Sequence, residues 1–436
     1  MPKPRTLESA GGENGQRSTV GGRGRTQVSV PRAWLVALTV LVIVPWLVVG
    51  WLYVSGGGPE EARPAEVSAA GPGTSSHGPW GRLTVTPVVV SPPLEYVAAD
   101  WGRDGEPDTW YFPATSAELL EAFLVSSGLP PDQAARLRSS AQADRRTNGL
   151  IVRPDQALVR SLTPEVRGRI YLQLAKSQLN FDQSSAFRFY ASSVDQWLGG
   201  TLISAETRRL VDPLIYRDAA GFLNFADPEL IRSQIGDQEE LRRLAKALLR
   251  QPAMLVRLSI ESAAEVDALT EYWGRGGRRL DLHPLLESVA GAGPDPSIDI
   301  VHLLPTFARQ HLYRYPKLTT AALDKPLLAN CLWSALNFFN PAPDDKYLTV
   351  DVALTALRQE YFVVQHGYQL GDVIAFVDDE GDLYHVAVYI ADNLVFTKNG
   401  TSPLAPWTIV PLEQLKGYYR SRSDNPRLIY HRRNDL

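Results

Sequence analysis

The sequence predicts an α+β protein with a single N-terminal transmembrane helix, a mostly helical middle domain, and a C-terminal domain in which one helix packs on a small antiparallel sheet. Three observations carry this expectation. Ala33 to Val54 (AWLVALTVLVIVPWLVVGWLYV) is an apolar run without a charge. From Thr109 to Thr320 capping signals and helical spacing dominate. After Cys331 the pattern changes to strand-like alternation broken by short turns. The expected boundaries are 1–32 for a cytoplasmic basic tail, 33–54 for the membrane helix, 55–108 for a linker with an extended segment, 109–320 for the helical domain and 321–436 for the C-terminal domain.

With 436 residues, 44% of them hydrophobic, the chain can bury cores in two or three domains. A formal net charge of −4 offers no general argument for nucleic acid. The 10 Trp and 17 Tyr read first as core, with glycan or ligand contact as the alternative. A single cysteine, Cys331, excludes an intramolecular disulfide and any multi-cysteine zinc site. No motif implies a metal or an organic cofactor.

At about 1.5 Å rise per residue, the run from Ala33 to Val54 crosses a hydrocarbon core of about 30 Å. Trp34 at one end, and Trp51 and Tyr53 at the other, suit the two interfaces of a lipid bilayer. Lys3, Arg5, Arg17, Arg23, Arg25 and Arg32 precede it against Glu8 and Glu13, so the basic flank, and with it the N-terminus, is expected in the cytoplasm. A cleaved signal peptide is the competing reading, but the bulky Trp51, Leu52 and Tyr53 follow where small residues belong. Export gives the lone thiol meaning, because oxidising compartments leave a thiol either buried or used.

Residues 55–80 are rich in Gly, Pro, Ala and Ser, a linker composition. Leu83 to Val90 is extended in character, but Pro87 suggests an edge strand at best. Thr115 with Glu118, Thr163-Pro164-Glu165, Asp227-Pro228-Glu229 and Asp237 with Glu240 read as helix starts. Met254 to Ile260 reads as a short strand, and Gly274, Gly276 and Gly277 as a tight loop. Asp372 to Val377, His385 to Ile390 and Leu394 to Thr397 read as the strands of the C-terminal sheet.

Chemistry is sought around Cys331. Leu332, Ala335, Leu336 and Phe339 follow at the spacing of one helix face, which puts the thiol at or near a helix N-terminus. The dipole and free N–H groups there are expected to depress the thiol pKa and to offer an oxyanion site. A thiolate nucleophile needs a proton shuttle. Of the seven histidines, His385 opens a strand that must pack on the Cys331 helix, with a purely structural role as the alternative. Tyr313 or Tyr315 could support an oxyanion, although an aromatic before a helix more often packs, and Trp407 reads as core.

Asn330-Cys331 at a helix start, Gly371-Asp372-Val373 at a strand start and His385-Val386-Ala387-Val388-Tyr389 occur in that order. Over about residues 321–430 this resembles the NlpC-type papain-like cysteine peptidases, whose motifs are D-C-S-G, G-D-L-V-F and H-V-G-I-Y. The resemblance implies Cys331 as nucleophile, His385 as general base and then acid, and a third polar residue orienting the imidazole. The strict motif match for that third position is Thr397, while Asn399, two residues on, has the stronger acceptor. Asn330 replaces the usual Asp, and Leu332-Trp333 replaces Ser-Gly, which alters the groove beside the nucleophile.

The resemblance implies a cell-envelope cysteine hydrolase acting on peptide or amide bonds, with peptidoglycan stem peptides as substrate. Together with the membrane run it implies a bacterial inner-membrane protein whose C-terminal domains are extracytoplasmic. A non-catalytic envelope module and an acyltransferase using the same dyad are the alternatives.

Overall fold

Strand-forming runs near the N-terminus give β1 (Glu66–Ala69), β2 (Thr74–Gly78) and β3 (Gly81–Ser91). The structure, a computed structural model, describes residues 66–69, 73–97, 109–316, 328–420, 423 and 425–436. These all belong to one compact unit, Gly57–Leu436.

The next stretch mixes short strands with helices. β4 (Trp110–Phe112), β5 (Gln142–Asp144) and β6 (Gly149–Val152) form one antiparallel sheet. β7 (Phe187–Tyr190), β8 (Tyr216–Arg217) and β9 (Phe222–Phe225) form another. Around them lie α1 (Ala117–Ser126), α2 (Pro164–Leu174) and α3 (Gln238–Leu248). Thr163 caps α2 as its sequence suggests, while α1 is capped by Ser116, one residue beyond Thr115. Trp110, Tyr171, Trp197, Phe225 and Leu244 meet in a common core. At its centre the Arg167 guanidinium lies 2.6 Å from Asp227, which also accepts the Tyr171 hydroxyl. That is why Asp227 makes no cap for the short helix after it: its carboxylate is spent inward.

β10 (Gln251–Ser259) then returns to β3 and pairs with it from Gln251↔Val90 to Ser259↔Arg82. β11 (Ser297–Asp299) adds to the far side of β10. β3 is therefore an interior strand, not an edge. Pro87 falls in a gap on one side of β3, where β2 pairs as far as Val85 and β1 begins at Val88, while β10 pairs past it on the other side. Between and after these strands come α4 (Val266–Trp273), α5 (Arg279–Ala290) and α6 (Thr306–His311).

The C-terminal part opens with α7 (Cys331–Leu336) and α8 (Val350–Gln359). Six strands follow in one sheet: β12 (Tyr361–Val364), β13 (Val373–Val377), β14 (Leu383–Ala391), β15 (Leu394–Lys398), β16 (Trp407–Pro411) and β17 (Arg427–Arg433). Their spatial order is β12-β17-β13-β14-β15-β16, and every pair is antiparallel. α9 (Leu412–Tyr418) lies between β16 and β17 in the chain. α7 packs on one face, and Leu336, Val388 and Phe396 share a core there with Leu258, Trp273 and Phe307. The other face buries Phe376, Ala387, Tyr389 and Val395 against Leu415 of α9.

The expected fold class is corrected on two counts. No helix among the described residues is long and apolar enough to cross a membrane, and Ala33 to Val54 lies outside the described residues. The middle region is mixed α/β. β10 was legible as the run Met254 to Ile260, but β4 to β9 hold two to four residues each, too few to show a period, and β9 is buried on both faces. The core beneath α7 also runs across the boundary expected at residue 320.

Candidate active site

Asn330 is extended, and its side-chain oxygen accepts the Trp333 N–H at 2.9 Å. The residue that departs from the family motif is thus a sound N-cap, and it starts α7 at Cys331. Leu332, Ala335 and Leu336 anchor the helix in the core, and Ser334 accepts the Trp407 indole N–H at 2.8 Å. Cys331 itself stays partly exposed. Its sulfur accepts N–H groups from Val386, Leu332 and its own backbone. Those bonds favour the thiolate, but burial outweighs them and pushes the thiol pKa up. The expected depression is not found. A six-residue helix has little dipole to offer, and desolvation costs the anion more.

Side chains alternate across β14. Val386, Val388 and Ile390 face α7, whereas Ala387 and Tyr389 face α9. His385 belongs with the second set. Its ring stacks on Tyr419 at 4.3 Å and meets Phe376 at 5.5 Å. Its Nε2 lies 2.9 Å from the Thr397 hydroxyl oxygen. Cys331 and His385 therefore sit on opposite faces of the sheet, and the structure does not bring the expected dyad together. Burial pushes the imidazole pKa down to about 3, which keeps His385 neutral.

The two candidates for the third position separate. Thr397 touches His385, but on the face away from the thiol. Asn399 does not orient the imidazole: its side-chain oxygen is buried without a hydrogen-bond partner. It borders a small cavity of about 20 Å³ beside Gln414, whose side-chain oxygen is likewise unpartnered.

Lys398, not His385, is the basic side chain that lies on the α7 face. It follows Thr397 and so turns to the α7 face, fully buried. Its Nζ donates to the carbonyls of Gly400 at 3.0 Å and Ser402 at 2.9 Å, and lies 5.6 Å from the centre of the Trp407 ring. Burial pushes its pKa down to about 7, opposed by the attraction of the Cys331 sulfur. A neutral amine has two N–H groups and one lone pair. With both N–H groups given to the two carbonyls, the lone pair remains for a proton.

On the same side, His311 stacks on Phe307 and approaches Trp407 at 4.7 Å and Trp333 at 5.7 Å. Its Nδ1–H donates to the Phe307 carbonyl at 2.8 Å, and burial lowers its pKa. Tyr313 and Tyr315 are structural, since their hydroxyls donate to the carbonyls of Met254 and Val90. Among the described residues no cluster of His, Cys, Asp or Glu is placed to hold a metal ion.

Sequence reasoning passed over Lys398. The signal was a lysine closing an otherwise uncharged strand, LVFTK, one residue from Thr397. No protein-family model matches this chain, and no curated protein or solved structure does so either.

Proposed function

We propose that this protein is a cysteine-dependent hydrolase of peptide or amide bonds, with Cys331 as nucleophile and Lys398 as general base. The observation that carries the reading is the buried Lys398 amine on the sheet face that holds the Cys331 sulfur, each group acting electrostatically on the other. At rest the thiol keeps its proton and a large share of the amine is neutral. When a substrate carbonyl arrives, the Lys398 lone pair takes the thiol proton and the sulfur attacks. The Leu332 and Val386 N–H groups, which reach the sulfur, stabilise the thiolate as it forms. The Lys398 ammonium then returns its proton to the departing amine. Water cleaves the thioester, which releases the acid and restores the thiol.

The motifs around Cys331 make peptidoglycan stem peptides the first substrate to try. The test is release of free amine from such fragments by the full chain, with Cys331→Ala as control. Turnover that depends on both Cys331 and Lys398 is expected. Equal amine release by wild type and Cys331→Ala would sink the proposal.

One observation favours a second reading, a module without turnover: the motif histidine is turned away from the thiol. Labelling with iodoacetamide separates the two. The hydrolase reading expects Cys331 to label in the folded protein, with a rate that changes in Lys398→Met; the inert module expects neither.

A further inference from the structure

A second site lies at the other end of α7. Phe339, past the helix C-terminus, has its ring beside Gly276 and under the Arg433 guanidinium, 5.6 Å from the ring centre. There a cavity of about 540 Å³ opens between the turn joining α4 to α5 and the residues that follow β17. Its volume falls within the range of small-molecule pockets, about 300–1,000 Å³. Arg275, Arg279 and Arg433 line it, with Asp435 the one carboxylate side chain among the lining residues.

These guanidinia keep donors in reserve. Arg275 gives Nη1 to Gln369, while its Nε is buried without a partner. Burial and the neighbouring Arg432 charge disfavour its cationic form, so an added anion would relieve it. Arg433 gives Nε to Asp435 and Nη1 to Asn340. Arg279 pairs with Glu271 at the surface, both more than half exposed, a contact worth little. Asp281 lies in the first turn of α5, opposing these charges. The backbone leaves room for close approach. Gly276 and Gly277 both have positive φ, and a Cβ on Gly277 would meet nothing within 4 Å. Arg278, at the N-cap of α5, makes no side-chain cap. Leu280, 89% exposed, supplies an apolar wall.

We infer that this cavity binds a phosphorylated small molecule of nucleotide size. Planar guanidinium forks match phosphate oxygens in pairs, the glycine backbone allows close approach, and the volume exceeds what a lone phosphate needs. The site is separate from Cys331 and does not depend on the proposed hydrolysis.

The test is calorimetric titration of the full chain with inorganic pyrophosphate and with adenosine diphosphate. Saturable binding of both is expected, with Kd on the order of 1 mM or tighter. Arg275→Gln combined with Arg433→Gln should weaken it at least about tenfold, while Cys331→Ser binds as wild type. Melting curves for both this variant and Gly277→Asp that match wild type exclude misfolding; Gly277→Asp, which adds a carboxylate at a lining position, gives an independent arm with the same expected loss. Absence of saturable binding, or affinity unchanged in both variants, overturns the inference.

Discussion

From β13 to β16 the six-stranded sheet is buried on both faces, and each face holds a titratable group, yet they do opposite things to a proton. On the α9 face, His385 is wrapped by Tyr419 and Phe376 with one hydroxyl partner, and its pKa falls to about 3. On the α7 face, Lys398 loses charge to the same desolvation but starts higher and arrives at about 7. Burial thus makes the histidine a poor base and tunes the lysine to neutrality. On the proposed reading the lysine, not the histidine, is therefore the base.

Cys331→Ser gives the sharpest break in this comparison. It removes the sulfur with little change in shape, so amide hydrolysis should vanish while the melting temperature holds. Full turnover in that variant would remove the α7 face from the chemistry. Next comes Lys398→Met, which keeps the stem and discards the base. It should cost on the order of 10²–10⁴-fold in kcat/KM. The pH profile carries the sign. Only the neutral amine accepts a proton, so wild-type activity should fall as pH drops through about 7, and Lys398→Met should lack that limb. An unchanged acid limb in the variant would assign it to another group, such as His311, which packs on Trp407 on that side.

Much of this arrangement was legible, and the failure at its centre has a physical cause. The expected strands Asp372 to Val377, His385 to Ile390 and Leu394 to Thr397 lie within a residue or two of β13, β14 and β15. Which face each side chain takes was not readable. β13 and β15 are buried throughout, and β14 from His385 onward, so apolar residues fill both parities and no alternation marks the side toward α7. A one-residue change of parity moves every side chain to the other face. That is the distance between Thr397 and Lys398. The helix start at Cys331 was legible because Leu332, Ala335 and Leu336 show the period that follows it. The Cys331 pKa was not, because desolvation depends on neighbours remote in sequence. Pro87 misled for a similar reason, since the gap between β1 and β2 that accommodates it is a tertiary fact.

His385→Phe tests the α9 face through stability instead of rate. The folded protein holds His385 neutral down to about 3, while the unfolded chain takes up its proton near the ordinary value of 6.5. The unfolded state therefore binds more protons between those limits, and stability falls as pH drops through that window. Phenylalanine keeps the stack on Tyr419 and cannot titrate. Melting temperatures measured from pH 7.5 down to pH 4 should decline less in His385→Phe than in wild type, with kcat/KM near pH 7.5 close to unchanged. A parallel decline in both proteins would show that His385 is not the group that senses acid.

Thr397→Val makes the smallest change and divides the two faces most cleanly. Valine matches threonine in shape and removes the one hydroxyl within reach of the His385 Nε2. The imidazole is left buried with a polar atom unsatisfied, a loss of about 1–3 kcal/mol in stability. If Thr397 orients a catalytic base, as the motif resemblance implies, kcat/KM should drop by far more than the melting shift explains. If the sheet separates the two groups as the geometry has it, the variant melts earlier and turns over at the wild-type rate at temperatures where it stays folded. A drop of about tenfold or more in kcat/KM without loss of folded protein would return the proton transfer to His385 and require the sheet to rearrange during the reaction.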